Sequence, residues 1–150
     1  MSIPGPNNIT RHVLPNGIVL LVRENRTSPS AVLTGMLQVG ACDESPEQAG
    51  LAGFTADALM RGTANRSFDR IYEELEAVGA SLGISGGTHA TGFGGKSLGE
   101  DLPLLLDVLS DGLRRPSFPP DEVEKVRGEI MADLAERAHD TGRMAGLTFY

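Results

Sequence analysis

The chain is expected to fold as an α+β domain, with an antiparallel or mixed sheet layered against helices. Two patterns carry that expectation. Short β-rich runs cluster in two places along the sequence, and each cluster is followed by two segments of helical periodicity. Size agrees: 150 residues suit a single domain, residues 1–150, with a core that needs no covalent staples.

The first cluster opens with Arg11-His12-Val13-Leu14, turns at Pro15-Asn16-Gly17 and returns through Ile18 to Val22. Asn-Gly between β-rich runs signals a hairpin, because both turn positions tolerate positive φ. A polar interval leads to a third strand from Ala31 to Val39. Its two faces, Val32/Thr34/Met36/Gln38 and Leu33/Gly35/Leu37/Val39, are both fairly apolar, which predicts a place inside the sheet.

Ser45-Pro46-Glu47-Gln48 then predicts a helix start: Ser45 as cap, Pro46 at the first position, Gln48 where a capping box wants it. That helix is expected to bury Leu51, Phe54, Ala58 and Leu59 and to stop at Gly62. Ser67 caps a second helix with the stripe Ile71, Leu75 and Val78, closed by Gly79. From Ala80 to Leu98 the chain is glycine-rich, and two antiparallel strands joined near Gly86-Gly87 are expected. So many glycines weaken strands unless backbone must pass close to another surface, either a ligand or a neighbouring element. A third helix follows, with Leu102, Leu105, Leu106, Leu109 and Leu113 on one side and Pro103 confined to its first turn. A stiff connector, Arg114 to Pro120, leads to a last helix facing the core through Val123, Val126, Ile130 and Leu134.

Charge narrows the function. The chain has 13 Lys and Arg against 20 Asp and Glu, a formal charge of −7. That balance argues against a nucleic-acid partner, which needs clustered positive charge, and against an anionic membrane surface. No stretch has the apolar length of a membrane span, and the polar N-terminus lacks the pattern of a secretory leader. One cysteine, Cys42, precludes an internal disulfide and fits a reducing, cytoplasmic setting. The apolar, uncapped end from Ala145 to Tyr150 predicts that the chain is a piece of something longer.

Candidate chemistry is sparse. His12, His89 and His139 are unpaired at helical spacing, so no imidazole cluster offers itself for zinc. No Gly-x-Ser-x-Gly stretch stands at a strand-to-helix elbow, and Gly83 to Gly87 lacks the trailing Lys-Ser or Lys-Thr of a phosphate-binding loop, in a glycine-rich region that does not lie between a strand and a helix start. Asp57 and Asp133 are two carboxylates that alone could hold only a weak, hard cation such as Mg²⁺ or Ca²⁺. Substrate contact is a candidate cause of the glycine-rich hairpin, which puts Gly83, Ser85, Gly86, Gly87 and His89 forward as peptide-binding residues. An exposed strand edge there suits an extended chain.

Taken in order, Leu14-Pro15-Asn16-Gly17, Val39-Gly40-Ala41 before Asp43-Glu44, Gly50-Leu51-Ala52, Gly62-Thr63, Leu75 to Ala80 and Leu105 to Phe118 form a specific series. From Val13 to Met144 the chain resembles the N-terminal domain of the M16 zinc peptidases, the family of pitrilysin, insulin-degrading enzyme and mitochondrial processing peptidase. The resemblance implies that family's metallohydrolase fold. It also implies a place for the inverted zinc motif His-x-x-Glu-His, which falls here on Gly53, Ala56 and Asp57. The family's third ligand, a glutamate on the last helix, falls on Asp133, and its strand asparagine on Gly83. Both imidazoles and the general base are thus replaced, so no catalytic residue, metal or cofactor is expected. Those positions lie off the stripe expected to be buried, so the fold is expected to survive their loss. The resemblance implies that the chain is a fragment of a longer two-domain subunit, a silent one that pairs with an active homologue, or with itself, and helps enclose an unstructured peptide. The competing expectations are an active zinc peptidase with an unrecognised site and an assembly protein that binds no peptide.

Overall fold

The computed structural model describes residue 5 and residues 8–142 and 144–145. Residues 146–150 of the apolar C-terminal stretch and residues 1–4, 6 and 7 of the polar N-terminal stretch lie outside that range. Strands β1 (Thr10–Val13) and β2 (Val19–Val22) pair antiparallel, with Val13 opposite Val19. The Asn-Gly turn forms as expected: the Leu14 N–H donates to the Ile18 carbonyl at 2.8 Å, and Gly17 adopts a φ of 88°.

A separate antiparallel sheet contains β3 (Ser30–Leu37), β4 (Ser81–Gly86) and β5 (Thr91–Leu98) in the order β3-β5-β4. This corrects the expectation for the third strand, which lies at an edge and does not join the hairpin. Its two apolar faces have different fates. Leu33 packs on the core with Leu82 and Ile84 of β4, whereas Val32 and Met36 stand 75% and 70% exposed on the other side. Period-two apolarity on both faces therefore reflected an uncovered face, not an interior strand.

Helices α1 (Leu51–Ala58), α2 (Phe68–Ala77) and α3 (Leu102–Arg114) pack on the Leu33 side of the sheet, and α4 (Pro120–His139) packs against α1. The core gathers Met60, Ile71, Leu75, Leu105 and Val108 beneath the sheet, and each such side chain contributes on the order of 1.5–3 kcal/mol by leaving water. Ser67 caps α2 as expected, its Oγ accepting from the Arg70 N–H at 3.3 Å. The buried faces of α3 and α4 differ in part from the expected stripes. Leu106 and Leu134 are exposed, and Val108, which the leucine spacing passed over, is fully buried. No helix of the described residues is long and apolar enough to cross a membrane.

The helix expected from Ser45 to Gly62 is also corrected. Pro46–Gln48 is a separate 3-10 turn, and α1 begins only at Leu51, after Gly50 takes the left-handed conformation at φ 96°. That residue ends one helical path and starts another, a change that an L side chain resists. The buried face of α1 shifts accordingly. Ala56 and Ala58 are 2% and 1% exposed, whereas Leu51, expected inside, is 49% exposed.

Candidate functional site

The start of α1 is held by a residue that local sequence did not single out. The Glu44 carboxylate accepts from the Gly50 N–H at 2.8 Å and from the Ala52 N–H at 2.5 Å. It satisfies two otherwise orphaned amides and places negative charge at the positive end of the helix. Just upstream, Gly40 is buried against the β4–β5 loop: a Cβ there would lie 2.5 Å from the Gly87 carbonyl oxygen. The Ala41 and Cys42 N–H groups donate to the Gly87 and Thr88 carbonyls at 3.0 and 2.8 Å. The 3-10 turn Ala41–Asp43 is thereby fastened to the glycine-rich loop.

Beyond α1, Arg61 pairs with Glu122 and Glu129 of α4 and sits 5.1 Å from the centre of the Phe68 ring. This cluster sets α4, the helix that carries Asp133, alongside α1. The loop that follows, Gly62 to Ser67, is fixed by Asp111 of α3, which is fully buried. Asp111 accepts from the Thr63 hydroxyl, from Asn65 Nδ2 at 2.8 Å, and from Arg66 and Arg115 at 3.3 and 2.9 Å. Burial pushes its carboxyl up, but the Thr63 and Asn65 hydrogen bonds, with Arg115 and Arg66, outweigh burial and hold it below the ordinary carboxylate range. Arg66 is raised in turn, first by its hydrogen bond to Glu74 and then by that to Asp107. No local pattern marks Asp111, since Thr63 and Arg66 lie 48 and 45 residues away in sequence.

The motif positions are now placed. A Cβ on Gly53 would meet nothing within 4 Å, and Asp57 is exposed, so both face open space. Ala56 differs: it is buried, which corrects the expectation that all three positions lie off the packed face. Asp133 is exposed on α4. Among the described residues, no group of three or more His, Cys, Asp or Glu is arranged to hold a metal ion. His12 on β1, His89 in the β4–β5 loop and His139 at the end of α4 belong to three different elements. The residues present therefore do not fit zinc: the positions that would carry imidazole offer a bare backbone and one carboxylate.

Of the proposed peptide-binding residues, Gly83 and Ser85 lie on the exposed face of the outer strand β4, opposite Gly94 and Gly92 of β5. Gly86 has a packing role, since a Cβ there would come 2.8 Å from the Gly53 Cα. The end of β4 thus rests directly on the backbone of α1. Gly87 is committed to the 3-10 turn through its carbonyl, and His89 is exposed. Gly86 lies directly against the motif helix, while Gly83 and Ser85 look outward. On another flank of α1, an apolar cleft of about 270 Å³ opens beside Leu37 and Val39.

Comparison with known proteins accords with this architecture. Residues 19–142 match the model of insulinase (peptidase family M16). An uncharacterized zinc protease of Streptomyces coelicolor is 28% identical over 138 residues, covering 92% of this chain and 30% of that protein. The mitochondrial-processing peptidase subunit beta of Saccharomyces cerevisiae is 30% identical over 123 residues, 82% of this chain and 27% of that one. A crystal structure of a peptidase M16 inactive domain from Pseudomonas fluorescens superposes with a TM-score of 0.86 at 21% identity. The superposition covers 94% of this chain and 34% of that one. The fold and the extent of the match define a metallopeptidase-type α+β domain that lacks the metal-binding set. The chain belongs to peptidase family M16, and it spans about 30% of the length of the relatives it matches.

Proposed function

We propose that this chain is the N-terminal M16 domain of a catalytically silent subunit, which stands beside an active zinc peptidase homologue and helps enclose an unstructured peptide. One observation carries the reading: the fold around α1 is complete, yet Gly53, Ala56 and Asp57 stand where two imidazoles and a general base would be required. Losing the ligands and the base together removes the means of activating water. The Pseudomonas fluorescens structure is itself described as an inactive domain, and the yeast relative as one subunit of a peptidase. Both descriptions support a silent domain working within an assembly.

In this reading β4 offers its outer edge to the peptide, with Gly83 and Ser85 alongside. Main-chain hydrogen bonds would provide affinity with little sequence preference. The test is purification of the full-length protein from its own cells, followed by assay of the complex and of the isolated subunit against an unstructured peptide. The expected result is a homologue bearing His-x-x-Glu-His in the complex, with chelator-sensitive turnover only when both are present. Stoichiometric zinc and turnover in the isolated subunit would refute the proposal.

A further inference from the structure

The helix layer leaves one part of the sheet uncovered. At the end of β3, Leu37 and Val39 are 39% and 48% exposed, and across from them Leu51, Thr55 and Leu59 of the α1 region complete a cleft floored by buried Thr91. The Thr91 hydroxyl is spent on the Val39 carbonyl at 3.0 Å, so the floor presents no free donor. With a volume of about 270 Å³, the cleft is the size of one large side chain rather than of a drug-like ligand. Of the three motif positions, Ala56 lines the cleft and Gly53 and Asp57 do not.

Its rim is acidic. Asp43 and Glu44 line the mouth, Glu47 follows on the adjacent turn, and no Lys or Arg lines the cleft. Several carboxylates elsewhere are met by cations: Glu74 by Arg66 and Arg70, Asp107 by Arg66, and Glu129 by Arg61. At this rim the partners are amides instead. Asp43 accepts from the Gly40 N–H at 2.9 Å, and Glu44 from Gly50 and Ala52. Amides orient a carboxylate but leave its full negative charge in place. In a chain of net charge −7, an apolar cleft edged in this way selects for a cation beside an apolar group.

We propose that this cleft is a docking site for a polypeptide segment that inserts one large apolar side chain and sets a neighbouring Lys or Arg against Asp43, Glu44 and Glu47. The apolar group supplies burial, and the cation supplies selectivity against the many apolar segments that lack one. The site is separate from the β4 edge, so either can fail without the other.

The test uses the isotope-labelled chain and the capped peptide Gly-Ser-Lys-Leu-Lys-Ser-Gly, followed by amide shifts up to millimolar peptide. Saturable shifts at Leu51, Thr55 and Leu59 are expected, weakening several-fold between roughly 0.05 M and roughly 0.5 M salt. Replacing both lysines by glutamate, or the leucine by alanine, should each weaken binding about tenfold. The exposed substitutions Leu51→Ala and Glu47→Lys should weaken it with unchanged thermal melting. No shift at millimolar peptide would overturn the proposal, as would equal binding of the glutamate peptide or shifts confined to Gly83 and Ser85. Concentration-dependent shifts of the same amides without peptide would assign the cleft to a second copy of the chain, and would also overturn it.

Discussion

Replacing Asp111 with alanine tests whether one buried carboxylate organises the loop behind α1. The substitution removes the acceptor shared by Thr63, Asn65, Arg66 and Arg115. Breaking a buried, hydrogen-bonded charge pair costs about 3–5 kcal/mol, and the surroundings place this case near the lower end. Arg66 keeps Glu74 and Asp107, and Arg115, 57% exposed, is rehydrated. The Asn65 side chain is exposed and is rehydrated, whereas the buried Thr63 O–H exchanges a strong acceptor for the Arg66 carbonyl at 3.5 Å, and a poorly satisfied buried donor costs about 1–3 kcal/mol. A loss of about 3 kcal/mol is therefore expected, read as a fall in the urea midpoint at unchanged slope. The same side chain predicts acid lability. Its folded pKa lies below the ordinary carboxylate value, so its stabilisation is fully present above about pH 4 and is lost as pH falls below that. Asp111→Asn should flatten that part of the pH profile. A loss under about 1 kcal/mol for the alanine variant, or an unchanged acid limb for the asparagine variant, would refute the account of Asp111 as the organising group.

Other expectations follow from backbone geometry and from the motif positions. Gly53→Ala should stabilise the chain by roughly 0.5–1 kcal/mol, because its Cβ enters open space on a helix. Gly86→Ala should destabilise by about 1–3 kcal/mol, because its Cβ meets α1 backbone; equal melting temperatures for the two variants would contradict the close approach. Gly40→Ala should be as damaging as Gly86→Ala, since three backbone atoms crowd the added carbon within 2.8 Å, and an unchanged urea midpoint would count against it. Installing histidine at Gly53 and Asp57 with glutamate at Asp133 should yield one chelator-removable zinc per chain by elemental analysis. Failure to bind in a variant that still melts cooperatively would sink the assignment of those positions.

Much of the element order was legible in the sequence, because caps and turns are local. Asn16-Gly17 gave the hairpin, Ser67 the start of α2, and the glycine-bounded strands their antiparallel pairing. Failures arose where an answer depended on distant packing. Two apolar faces on β3 could not reveal that only one would be covered. Ser45 and Pro46 offered every sign of a helix start, yet Gly50 and the reach of Glu44 moved the start to Leu51.

By itself the sequence determined which groups α1 lacks, since side-chain chemistry is set by residue identity: Gly53 and Asp57 supply no imidazole, and Ala56 supplies no carboxylate at the position of the base. The tertiary structure alone decided how the surrounding surfaces are used. Gly86 lies against Gly53, Asp111 ties a loop 45 to 48 residues away in sequence, and Leu37, Thr91 and Leu51 enclose a cleft with an acidic rim. Such juxtapositions depend on which strand pairs with which and where a helix begins. They arise from the summed packing of the whole chain, and no local window of residues encodes them.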